Sequence, residues 1–130
     1  MDLDEVRQSD VLVAVINGEA TNRLNHQALI VDLLPAGFEI ENERLTGGRK
    51  NKEMAWLPKL ARPRHTEKRD DRYVAALDLR RRKGAFSLAY VVRAVTPGTF
   101  RLPAVFVEDM YKTRYFARGE MSTVTVVPRQ

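Results

Sequence analysis

An antiparallel, all-β sandwich of two sheets and about seven strands is the fold class this sequence predicts. Three observations point there. The apolar segments are short and rich in β-branched residues, and Gly, Pro, Asn or charged residues separate them. No segment longer than about ten residues keeps a helical period. The clearest stretch, 86–95, alternates with period two, with Phe86, Leu88, Tyr90, Val92 and Ala94 on one face.

The elements follow in order. Val11–Ile16 is a continuous apolar run stopped by Asn17-Gly18, a buried strand and a turn. Ala28–Leu34 is a second run, ended by Pro35-Ala36-Gly37 because proline cannot donate to a ladder. Phe38-Glu39-Ile40-Glu41 alternates apolar and acidic, as a strand with one wet face does. Residues 46–71 hold no period and read as a long loop anchored by Trp56. Tyr73–Leu79 is a strand, with the basic Arg80–Lys83 cluster and Gly84 as the turn after it. In Thr96-Pro97-Gly98-Thr99, Pro presets φ and Gly accepts a positive φ, giving a turn. Phe100, Leu102 and Phe106 line one face of the next strand, with Pro103 marking an edge or bulge. A loop spans 108–119, and Ser122–Val127 closes the chain as a β-branched strand. Residues 1–9 read as an N-terminal extension or remnant, and 10–130 as one domain. The core is expected to contain Phe86, Leu88, Tyr90, Phe100, Leu102 and Phe106.

Composition narrows the function. With 44% hydrophobic and 30% charged residues the chain is an ordinary globular domain, and no stretch approaches the roughly 20 apolar residues of a spanning helix. It has no cysteine, which removes disulfides, thiolate nucleophiles and sulfur-ligated metals together. The acidic Met1–Glu5 start lacks the basic and apolar regions of a signal peptide. The net charge of +5 raises nucleic acid or acidic glycans as partners of a free-standing basic sandwich. The basic residues, however, are scattered and mixed with acids, as in Arg69-Asp70-Asp71-Arg72, and fit a solvated surface.

Chemistry is sparse. His26 and His65 stand far apart in polar surroundings with no spaced ligand beside them, so neither a metal nor another cofactor is expected. No serine sits in a Gly-flanked elbow, and Gly47-Gly48-Arg49-Lys50 lacks the Lys-Ser/Thr pair of a phosphate loop. An enzyme is not expected. The segment most in need of explanation is Glu108-Asp109-Met110-Tyr111, followed by Tyr115 and Phe116. Either it folds its Met and aromatics over the open end of the sandwich, or it forms a contact surface, since Met adapts to and Tyr anchors interfaces.

Five stretches in order resemble one family: Val31–Asn42, Thr66–Ala76, Tyr90–Phe100, Leu102–Ala104 and Val107–Tyr111. Together they are similar to the C-terminal macroglobulin-type domain of bacterial alpha-2-macroglobulins, over about residues 10–128. The resemblance implies a β-sandwich belonging to a large periplasmic protein, often lipid-anchored to the inner membrane, that traps proteases. There a protease cuts a bait region, the shell rearranges, and a thioester in another domain acylates the protease. The domain would dock on that thioester domain and shield the bond, with the remaining domains of the same chain as its partners and no role for nucleic acid. The same resemblance puts Met110 and Tyr111 over the bond, with Glu108 and Asp109 beside them in the interdomain contact. One branch of the family lacks the thioester, and in it these would be interface residues only.

Overall fold

The computed structural model describes residues 3–20, 24–41, 60–79 and 85–129. They form an all-β domain of eleven strands. Seven match the expected ones: β2 (Val11–Glu19), β3 (His26–Leu33), β4 (Phe38–Glu41), β6 (Arg72–Leu79), β7 (Ala85–Ala94), β8 (Gly98–Leu102) and β11 (Ser122–Val127). The other four are short: β1 (Leu3–Arg7), β5 (His65–Arg69), β9 (Phe106–Asp109) and β10 (Phe116–Arg118). The strands pair as three ladders, β1-β11-β8, β2-β7-β4 and β10-β9-β3-β6-β5, where the sequence suggested two sheets. All pairings are antiparallel except β1 with β11.

One core joins the three ladders. β3 contributes Ala28 and Ile30, β6 Tyr73, Ala75 and Leu77, β7 Leu88, Tyr90 and Val92, and β11 Val124 and Val126. Each set repeats every second residue, because successive side chains leave a strand on opposite faces. Phe86, Leu88 and Tyr90 are buried as expected, while Phe100, Leu102 and Phe106 are only partly so.

Several expectations need correction. Leu3–Arg7 is not an extension: it adds a parallel strand to β11, and Val6 is 5% exposed. Asn17-Gly18 is not a turn, since β2 runs on to Glu19 with Gly18 opposite Phe86. The Phe86 ring lies over Gly18, where any Cβ would collide with it, so glycine serves close approach here and not reversal. The stretch 100–106 is two strands: the chain leaves the ladder at Pro103, which has no N–H to give, and moves from β8 to β9 in another sheet. His65–Arg69, read as loop, forms a hairpin with β6 through Asp70-Asp71. Gly98 does take a positive φ, 144°, but as the first residue of β8, paired with Val126, and not inside a turn. The Trp56 anchor and the Arg80–Lys83 turn lie outside the described residues.

Candidate functional site

The segment singled out in the sequence closes one end of the five-stranded ladder. β9 pairs with β3, placing Asp109 opposite Ala28 and Glu108 opposite Leu29. Adjacent strand residues face opposite ways, so Glu108 lies on the outer face and Asp109 on the inner one. Asp109 is 7% exposed, and so is His26 on the neighbouring strand. His26 Nδ1 and Asp109 Oδ2 are 2.7 Å apart. His26 therefore does not sit in the polar surroundings its sequence neighbours suggested, because pairing with β9 covers it.

The other carboxylate oxygen organises the loop. Asp109 Oδ1 accepts the backbone N–H of Tyr111 and of Lys112, both at 2.8 Å, the closed arrangement an aspartate makes two and three residues ahead of itself. Met110 N–H donates to the Gln27 carbonyl at 2.8 Å, Tyr115 N–H to Lys112 at 3.0 Å and Asp109 N–H to Tyr115 at 3.0 Å. The Tyr115 ring meets His26 edge-on with centroids 5.2 Å apart. Hydrogen bonds from Lys112, His26 and Tyr111 hold the Asp109 carboxyl down to about 2, against the opposing pull of burial.

This scaffold has an outward consequence. Met110 is half-buried and Tyr111 is 78% exposed, a large aromatic raised into solvent on a loop bonded at both ends. Of the four expected contact residues, Tyr111, Met110 and Glu108 reach the surface to some degree. Asp109 differs from them: it is buried, and both its oxygens are hydrogen-bonded inside the domain, where they shape the loop that carries Met110 and Tyr111.

Beside Tyr111 lies a recess of about 380 Å³, with Asn25, Gln27, Asp78 and Lys112 in its wall. Gln27 Oε1 is buried and has no hydrogen-bond partner among the described residues, a state that costs about 1–3 kcal/mol until a donor arrives. Sequence reasoning missed Gln27 and His26, since both reach the site only through strand pairing. Among the described residues no group of three or more His, Asp or Glu could hold a metal.

The chain matches the family model of the bacterial alpha-2-macroglobulin MG10 domain over residues 1–113. It is 36% identical to an Escherichia coli alpha-2-macroglobulin over 133 aligned positions, covering 96% of this chain and 8% of the relative. It is 41% identical to one from Xylella fastidiosa over 123 positions, covering 87% and 7%. Among solved structures, the native conformation of the E. coli protein superposes with a TM-score of 0.77 at 34% identity, over 96% of this chain and 8% of that one. A crystal structure of the E. coli protein running from domain MG7 to the C-terminus gives the same TM-score, with 96% and 21% covered. Salmonella alpha-2-macroglobulin reacted with methylamine gives 0.72 at 35% identity, over 92% and 8%. The chain thus spans a small part of each relative, and it belongs to the bacterial alpha-2-macroglobulin family as a macroglobulin domain of the MG10 type.

Proposed function

We propose that this domain is the C-terminal cover of a periplasmic protease trap. It docks on the thioester domain of its own parent chain and shields the bond until the bait region is cut. The domain itself catalyses nothing. The observation that carries the reading is Tyr111, 78% exposed yet mounted on a loop whose backbone is tied down by the buried Asp109. Large aromatics left in solvent on rigid supports are the usual anchors of interfaces, since they bury much area and lose little entropy.

Shielding needs apolar bulk that excludes water and amines, which Met110 and the Tyr111 ring supply. The Tyr111 hydroxyl and the unpaired Gln27 acceptor would take hydrogen bonds from the facing domain and set the docking register. Asp109 and His26 act one step back, by keeping the loop in shape before docking. Anchoring of the parent to the inner membrane by a lipid belongs to the same proposal, supported by the family resemblance.

The test is made in the full-length parent. Replacing Met110 and Tyr111 together by Ala should speed thioester consumption by methylamine at least about tenfold, if the lost shielding is worth about 1.4 kcal/mol. Equal rates in variant and wild type would remove the shielding role. Incubated with trypsin, the isolated chain should leave cleavage of a large substrate uninhibited.

A further inference from the structure

β10 ends the five-stranded ladder, and its pairing decides which backbone groups it leaves over. Asp109 N–H bonds to the Tyr115 carbonyl at 3.0 Å, and Gly119 N–H to the Val105 carbonyl at 2.8 Å. Bonded and unbonded positions alternate along an antiparallel pair. Residues 115, 117 and 119 therefore turn their polar groups toward β9, while Phe116 and Arg118 turn theirs to an edge that no described strand covers. One further strand would find two N–H donors and two carbonyl acceptors there. Natural edges are commonly blunted by proline, a bulge or an inward charge. The register of β10 against β9 is regular, with no proline and no bulge; its three-residue length and Arg118 are what limit it to a short, charge-matched partner.

The side chains make the edge selective. Phe116 is 64% exposed, with its ring 6.2 Å from that of Phe106. The Arg118 guanidinium lies 5.3 Å over the Phe106 ring and that of Arg114 5.1 Å over Tyr115. Neither arginine is in an ion pair with a described residue, which is true also of Arg7, Arg62 and Arg101, but these two are held by aromatic rings beside the edge. Stacking occupies the flat face of a guanidinium and leaves the N–H edge oriented for a carboxylate.

We infer that the β10 edge takes an extended, acidic segment from another domain of the parent chain by strand addition. Phe116 and Arg118 supply the backbone bonds, Phe116 the apolar anchor, and Arg114 and Arg118 the carboxylate contacts. The parent is the source because this domain covers 8% of the E. coli relative, so most of such a protein lies in other domains. A second copy is disfavoured by charge, since β10 laid on β10 would gather both arginines of both copies at one seam. The inference rests on family membership and not on the shielding role of Tyr111.

Amide hydrogen exchange in the parent and in the 130-residue chain tests it. The Phe116 and Arg118 amides should exchange at least about a hundredfold more slowly in the parent, because a bonded amide must open first. Arg118→Glu in the parent should abolish that protection while Ala117 and Val107, bonded within the β9–β10 pair, keep theirs. Arg118→Pro removes an outward N–H together with the guanidinium and should expose Phe116 in the same way. Equal exchange at Phe116 and Arg118 in parent and chain would overturn strand addition. Protection that survives Arg118→Glu would overturn the acidic partner, and a concentration-dependent dimer of the 130-residue chain in sedimentation would assign the edge to a second copy. Methylamine reactivity is read apart from all of these: if Tyr111 proves irrelevant there while Phe116 and Arg118 stay protected in the parent, the shielding role falls and the β10 inference stands.

Discussion

Two aspartates on β3 and β9, strands paired in one ladder, meet opposite electrostatic fates. Asp32 is half-buried on β3 and accepts one hydrogen bond, from the Tyr90 hydroxyl at 2.6 Å. Burial raises its pKa, and that single bond only partly offsets the loss of water. Tyr90, stacked on Tyr73 with ring centroids 4.5 Å apart, is pushed up by the same burial and by the carboxylate it faces. Asp109 is 7% exposed, and its carboxyl is nevertheless held at about 2. It meets three donors, where Asp32 meets one. Loss of water dominates at Asp32, with one donor set against it, whereas at Asp109 the hydrogen bonds outweigh it. Asp32 ties two ladders together in the core, whereas Asp109 gives a loop a fixed shape at the rim.

The largest break in that contrast is Asp109→Ala. It removes the bonds to His26, Tyr111 and Lys112 at once and should cost about 3 kcal/mol, at roughly 1 kcal/mol for each bond. Urea unfolding measures it. Asp109→Asn should cost less, because an amide oxygen can still accept the two backbone N–H groups.

Acid titration sharpens the same contrast without deleting atoms. Asp109 has its folded pKa lowered from 3.8 to about 2, so its stabilisation is complete above about pH 4 and lost as pH falls to about 2. Asp32 has its folded pKa raised, so native protein binds its proton first and gains stability as pH falls through that raised value toward 3.8. Urea midpoints from pH 7 to 2 should therefore drop less steeply below pH 4 in Asp109→Asn than in wild type. Asp32→Asn should lose the opposing gain above pH 4.

Smaller again is Tyr90→Phe, expected to cost about 1 kcal/mol for one hydrogen bond. It should also raise the Asp32 pKa further, since burial then acts without a donor, and carboxyl chemical shifts followed through a pH titration would register the change. The smallest effect belongs to the contact loop. Met110→Ala with Tyr111→Ala should change the stability of the isolated chain by less than about 0.5 kcal/mol, because a 78% exposed side chain supports little of the fold. A larger loss would make those residues part of the packing and set Asp109 and Tyr111 on equal footing.

Much of this was legible in the residues. The seven expected strands announce themselves by period two or by β-branched runs, because a strand half-buried in a core must alternate its faces whatever it pairs with. The positive φ of Gly98 was legible because only glycine adopts such an angle freely, although the residue opens β8 instead of forming a turn. Glu108 to Tyr111 stood out because carboxylates, Met and Tyr crowd together after a strand, and the family resemblance gave that crowding a meaning.

Tertiary structure decided the rest. β1, β5, β9 and β10 have three to five residues each and no β-branched run, and they exist because neighbouring strands supply their bonds. Gly18 reads as a turn until Phe86 lies across it. The inward face of Asp109, the burial of His26, the orphan Gln27 and the open edge of β10 depend on pairings between residues up to 83 positions apart. The order of the residues determines that such a chain will fold into sheets; which carboxylate is satisfied, which aromatic is left in solvent and which edge no described strand covers are set by register, and register is a property of two strands at once.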